Sequence, residues 1–183
     1  RAVTAELVAT ESVGCLVNNV GIVAPGPLES VDLDDFDRLF HVNLRASLIC
    51  AQVFVPGMKA AGGGRIVMNT SRVTLGKEHR TLYSATKGAA QSMARTWALE
   101  LAPSGITVNC VAPGPIGTAA FWANNPPDAP LTRQIIDKVP LRRMGQPEDV
   151  ANAVAFFCAP ASGFVTGQTL FVCGGVTVGL GGA

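Results

Sequence analysis

The chain is written in short, unbroken apolar runs separated by longer stretches with helical periodicity. The clearest runs are Cys15-Leu-Val-Asn-Asn19, Arg65-Ile-Val-Met-Asn69, Ile106-Thr-Val-Asn-Cys-Val111 and Leu170-Phe-Val-Cys173. Runs of this length that do not alternate with polar residues read as strands covered on both faces. Between them, Asp32 to Lys59 opens with acidic residues suited to a helix N-terminus. Its Phe36, Leu39, Phe40, Leu44 and Leu48 recur on one helical face, and Pro56 with Gly62-Gly-Gly64 is expected to close it. A second helix is predicted from Leu82 to Leu101, stopped by Pro103 and Gly105, and a third from Pro147. Its early face is small, with Ala85, Gly88, Ala89 and Ala90, which lets another helix or a ligand come close. Strands alternating with helices of this length imply parallel pairing through right-handed crossovers. The fold class is α/β, a doubly wound parallel sheet in one domain over residues 1–183. The Pro-rich stretch Asn124 to Pro130 is expected to be a mobile surface loop, not a domain boundary.

Composition narrows the function classes. The 183 residues carry a net charge of +1 with 48% hydrophobic and 15% charged residues, too apolar for disorder. No excess of Lys and Arg is available to neutralise phosphates, so no nucleic-acid partner is expected. The five cysteines are odd in number, scattered and without a CxxC pair. They read as small core hydrophobes in a reducing, cytoplasmic setting, and His41 and His79 lack partners at ligand spacing, so no metal is expected. No charge follows Asp149, but Pro160, Gly163, Gly167, Gly174 and Gly175 cut that stretch into pieces too short to span a bilayer. Its apolar tail is expected to be buried against another subunit. The chain opens on Arg1 in helix-like sequence, which reads as part of something longer.

Candidate chemistry centres on Tyr83, the only tyrosine, with Lys87 four residues later on the same predicted helix face. A neighbouring ammonium favours phenolate and lowers a Tyr pKa toward neutrality, which suits proton exchange with a substrate oxygen. The competing reading is a Tyr at a core edge beside a solvated Lys. Its company favours chemistry. Gly64 to Ser71 is a strand ending in a hydroxyl, Val108 to Gly114 a strand ending in a Pro-Gly turn, and Leu16 to Gly21 a third strand end. All three point at one crevice at the carboxyl edge of the sheet, where open α/β folds bind ligands.

In that order and spacing, the sequence resembles the short-chain dehydrogenase/reductase family, essentially from Leu16 to Gly175, and most of all its 3-oxoacyl-thioester-reductase-like members. Tyr83-Ser-Ala-Thr-Lys87 resembles the family's Tyr-x-x-x-Lys, with Ser71 where the family keeps its catalytic serine. Asn43 resembles the helix Asn, Asn18-Asn-Val-Gly21 the Asn-Asn-Ala-Gly strand end, and Pro113 to Thr118 the segment that closes over nicotinamide. The resemblance implies an NAD(P)-dependent oxidoreductase interconverting a carbonyl and a secondary alcohol. Tyr83 would be general acid or base, and Lys87 would hold the nicotinamide ribose and depress the Tyr83 pKa. Ser71 would hold the substrate oxygen. Asn43 would bend its helix and position a water through its main chain. Asn19, Val20, Gly21, Pro113, Gly114, Ile116 and Thr118 would join Tyr83 and Lys87 around NAD or NADP, with residues 115–138 as a substrate lid. Read from the residues alone, Asn43 could be a solvent-facing polar residue, Ser71 a cap, and Asn18, Asn19 and Gly21 turn chemistry.

Three departures from the family pattern stand out. Val20 replaces a smaller Ala, Cys173 stands where Asp often precedes Gly-Gly, and Lys77-Glu-His-Arg80 makes the approach to Tyr83 polar, facing a polar substrate or solvent. Phe121 and Trp122 in the lid suggest an apolar or ring-containing substrate. The Gly-rich dinucleotide fingerprint is absent from the 183 residues, and Gly62-Gly-Gly64 is no substitute because it precedes a strand. The N-terminal part of the fold is therefore expected to be missing. A rival expectation follows: an inert α/β oligomerisation module without cofactor affinity. A small-molecule substrate and a homodimer or homotetramer are the expected partners, with no membrane.

Overall fold

The apolar runs pair into one four-stranded sheet, all parallel, in the order β1-β2-β3-β4. The computed structural model describes residues 12–179. The helix-like start and the last residues of the apolar tail lie outside them. The strands are β1 (Cys15–Asn18), β2 (Gly64–Asn69), β3 (Ile106–Pro113) and β4 (Thr169–Val172). Leu16 lies opposite Ile66, Ile66 opposite Val108, and Val111 opposite Leu170. β3, at the centre, is buried from Ile106 to Ala112, which is why its sequence does not alternate.

Helices cover both faces. After β1 come α1 (Leu33–Phe40), a π-helical segment His41–Arg45 and α2 (Ala46–Ala60). α3 (Thr81–Leu101) follows β2, and α4 (Ala119–Asn124), α5 (Pro130–Asp137) and α6 (Pro147–Cys158) follow β3. α2 and α3 pack on one face, where Phe54, Met58, Ala90, Ala94 and Ala98 meet Leu16, Ile66, Met68, Ile106 and Val108. Alanines at 90, 94 and 98 fall on one stripe of α3, and their small side chains bring the helix close to the sheet. α6 covers the other face, setting Ala153 and Phe157 against Val67 and Val111. The sheet is doubly wound.

Two expectations are corrected here. The segment from Asp32 to Lys59 is not one regular helix, because a π-helical turn interrupts it at His41–Arg45. Pro56 does not end α2 but lies inside it. Pro56 and Gln52, whose carbonyl loses its donor to the ring, are both exposed, so water replaces the missing bond. Asp32 caps α1 through a side-chain bond from the Asp34 N–H of 2.9 Å. By length and composition Leu33–Ala60 could cross a membrane; its Ala51, Phe54 and Met58 are buried on the sheet.

Candidate active site

The carboxyl ends of β1, β2 and β3 meet the first turns of α3, and the candidate residues gather there. Lys87 is 4% exposed. Its Nζ donates to the Asn69 carbonyl at the end of β2, at 2.7 Å, and lies 5.7 Å from the centre of the Tyr83 ring. One turn of helix thus places both side chains on one face, as the spacing predicts. Burial pushes the Lys87 pKa down to about 8. The Ser71 hydroxyl is near enough to the Tyr83 phenol to favour its ionised form. Ser71 also caps a short 3-10 turn, accepting from the Val73 N–H at 3.3 Å, as its reading as a cap expects.

One expected effect runs the other way. Tyr83 is not pulled toward neutrality by Lys87; burial of the phenol raises its pKa, against smaller lowering influences from Ser71 and Arg80. The ammonium lies over the ring, and its own burial weakens its charge.

Asn43 is the structural knot of the site. It is 2% exposed, so it is not a solvent-facing residue. The π-helical turn directs it inward, where Oδ1 accepts from the Ile22 N–H at 2.8 Å and Nδ2 donates to the Ile22 carbonyl at 3.0 Å. Nδ2 also reaches the Thr86 hydroxyl at 3.0 Å, which in turn donates to the Tyr83 carbonyl at 3.0 Å. Two chain segments and the first turns of α3 are tied through one amide. Gly21 belongs to the same knot, since a Cβ there would lie 3.1 Å from Lys87 Nζ and 3.5 Å from Asn43 Oδ1. Its identity reflects close packing beside Lys87.

The remaining strand-end residues are arranged less tightly. The Asn69 amide donates to Asn19 Oδ1, while the Val20 side chain points outward and is 69% exposed. Gly114 has room for no side chain, because a Cβ would meet Cys173 at 2.7 Å; its N–H bonds the Val172 carbonyl. Ile116 bridges to Gly145, and Thr118 caps α4 by accepting from the Phe121 N–H at 3.2 Å. Trp122 packs back on its own loop, its indole N–H donating to the Gly117 carbonyl at 3.0 Å. A cavity of about 480 Å³ opens beside Ile116, between Leu141, Gly145 and Cys173; Ser71, Tyr83 and Lys87 do not line it. Cys173, which stands at the family's Asp position, bonds the Thr177 hydroxyl at 3.2 Å. Burial raises its pKa, but bonds from the Thr177 hydroxyl and the backbone of Thr177, Gly175 and Val176 outweigh it and lower the thiol.

Asn69 and Thr86 were not singled out by sequence reasoning. Asn69 is a polar residue ending an apolar strand at the ligand edge, which is the signal it offered. Thr86 is a mid-helix Thr inside the Tyr83–Lys87 motif, fully buried.

The residues present fit a nicotinamide ribose. Lys87 uses one of its three donors on Asn69, and the buried Asn69 Oδ1 has no partner among the described residues. Donors and an acceptor therefore stand together, as a pair of hydroxyls requires.

A parallel doubly wound sheet with Ser71, Tyr83 and Lys87 at its carboxyl edge is the architecture of one enzyme class, and the chain belongs to the short-chain dehydrogenase/reductase family. The profile of the enoyl-(acyl carrier protein) reductase family matches residues 1–177. The chain is 41% identical over 160 residues to the (2S)-[(R)-hydroxy(phenyl)methyl]succinyl-CoA dehydrogenase subunit BbsD of Thauera aromatica, covering 87% of this chain and 63% of that one. It is 37% identical to the 7alpha-hydroxysteroid dehydrogenase of Escherichia coli, covering 89% and 63%. Among solved structures, a gluconate 5-dehydrogenase from Burkholderia cenocepacia in complex with NADP and tartrate superposes with a TM-score of 0.90 at 34% identity, covering 98% and 71%. The chain spans less than two thirds of the length of these two curated relatives.

Proposed function

We propose that the chain is the catalytic and C-terminal part of an NAD(P)-dependent oxidoreductase that interconverts a carbonyl and a secondary alcohol. The observation that carries the reading is the buried Lys87, bonded to Asn69 beneath the Tyr83 ring, with the Ser71 hydroxyl at the phenol. A nicotinamide, when bound, supplies or accepts the hydride. Tyr83 moves the proton. Its raised pKa keeps it protonated at neutral pH, the form that donates to a carbonyl oxygen during reduction. Ser71 donates a hydrogen bond to the same oxygen and steadies its developing charge. The nearby Ser71 hydroxyl and the Arg80 charge favour the phenolate that alcohol oxidation needs. Lys87 holds the ribose hydroxyls with its free donors, Asn69 accepts from one of them, and Asn43 fixes the frame. Asn19, Gly21, Ile116 and Thr118 border the nicotinamide.

Residues 115–138 act as the substrate lid, and the chain works in the cytoplasm as a homo-oligomer. The exposed Leu99 on α3 and Phe156 on α6 support subunit contacts on those helices. Such a wired site also speaks for an enzyme over an inert oligomerisation module. Titrating the chain with NADH and with NADPH, following nicotinamide fluorescence, separates the two. Saturable binding that weakens at least tenfold in Lys87→Met supports the reading; no binding at millimolar cofactor overturns it for this polypeptide.

A further inference from the structure

Three cations lie on the segment that joins Ser71 to Tyr83, and among the described residues no carboxylate pairs with them. Arg72 follows Ser71, Arg80 precedes Tyr83 by three residues, and Lys77 lies on the loop between. The segment leaves the carboxyl end of β2 and enters α3, so both of its ends lie at the edge of the sheet where Ser71 and Tyr83 gather. The loop is fixed there by a bond from the Gly26 N–H to the His79 carbonyl at 3.2 Å. His79 has a φ of 58°, an uncommon conformation for a non-glycine residue, which turns the chain back into α3. Among the described residues none of the three cations forms an ion pair, including with nearby Glu78. The Arg80 guanidinium donates to the His79 carbonyl, at 2.8 Å. The three are close enough to interact. Partial burial and then the Arg72 and Arg80 charges hold the Lys77 ammonium below its ordinary pKa. The N-terminus of α3 adds to the same field, with no acidic residue in its first turn and no side-chain cap.

Like charges gathered without counter-ions repel one another, and an incoming anion relieves that repulsion. We propose that Arg72, Lys77 and Arg80 bind an anionic group of the substrate, so that the reacting compound is an oxo or hydroxy compound bearing a carboxylate or a phosphate. This rests on Ser71 and Tyr83 being the reacting centre: the anion docks at the loop and the carbonyl reaches inward to them. Two guanidinium forks suit either group, since both offer paired oxygens.

The test uses the chain itself with probes that carry no reacting carbonyl, so its outcome does not depend on Tyr83 chemistry. Tartrate, inorganic phosphate and the uncharged tetrol erythritol are titrated by calorimetry at low and high salt. At least one anion is expected to bind tenfold or more tightly than erythritol, and to weaken with salt. Tighter tartrate assigns a carboxylate, and tighter phosphate a phosphate ester. Combined Arg72→Gln, Lys77→Gln and Arg80→Gln should abolish the preference, and Lys77→Gln alone should weaken it about threefold. Erythritol binding as tightly as the anions, no saturable anion binding, or a preference that survives the triple substitution overturns the proposal. Such a failure leaves the oxidoreductase reading standing, because turnover of neutral carbonyl compounds and its loss in Tyr83→Phe test that separately.

Discussion

The region around Asn43 and the segment from Pro113 to Asp137 face the same edge of the sheet but are held in different ways. In the first, one buried amide bonds Ile22 twice and Thr86 once, and Lys87 is locked to Asn69. In the second, backbone bonds from Gly117 to Gly145 and from Gly145 to Pro115 and a surface cap at Thr118 hold a half-exposed chain. On the proposed reading the contrast separates two jobs. Groups that move protons must sit within hydrogen-bonding reach in advance, so they are built into the core. A segment that covers the substrate has to yield to it, and few buried contacts leave it free to do so.

The comparison can be broken at either end. The largest expected effect is on turnover. In the full protein that carries this chain, Tyr83→Phe should lower kcat about 10²–10⁴-fold with cofactor affinity nearly unchanged, measured by steady-state kinetics and fluorescence titration. A variant keeping substantial rate would assign the proton to another group. Next comes the knot. Asn43→Ala strands buried donors and acceptors on Ile22 and Thr86 and should cost about 2–4 kcal/mol in urea unfolding. A loss below about 1 kcal/mol would make Asn43 dispensable to the frame.

Lys87 gives a third, pH-dependent effect. Its folded pKa of about 8 lies below the ordinary 10.5, so between those values the unfolded chain holds more protons and stability rises with pH. Cys110 and Cys158, raised to about 11 by burial, work in the opposite sense above their ordinary 9.0. The Lys87 gain is therefore read as the difference between the wild type and Lys87→Met, which from pH 7.5 to 9.5 should be on the order of 2 kcal/mol in urea unfolding. Tyr83, raised in the folded state, works in the opposite sense above its ordinary 10.0, so the gain fades there. The smallest effect belongs to the covering segment: Thr118→Ala removes an exposed cap and should cost about 1 kcal/mol or less. If that loss matched the loss from Asn43→Ala, the contrast between the regions would disappear.

Much of this was legible in the residues. The unbroken run Ile106 to Val111 announced a central strand, and Tyr83 with Lys87 announced a shared helix face. What was hidden depends on tertiary neighbours. No periodicity marks the π-helical turn at His41–Arg45, because it is sustained by Asn43 reaching Ile22 and Thr86, one distant in sequence and the other on another helix. Pro56 carried a stop signal that an exposed position cancelled. The direction of the Tyr83 shift was missed because spacing reveals the neighbouring ammonium but not how deeply both groups are buried.

Tyr83 is the only tyrosine in the chain, so phenolate absorbance reports on it alone. Titrating that absorbance with pH, within the range where circular dichroism shows the fold intact, tests the claim that Ser71, Tyr83 and Lys87 form one preassembled proton-transfer centre. The account predicts a midpoint above 10.0 that rises further in Ser71→Ala, because the serine hydroxyl favours phenolate. A midpoint at 10.0, indifferent to Ser71→Ala, would place Tyr83 in solvent and contradict it.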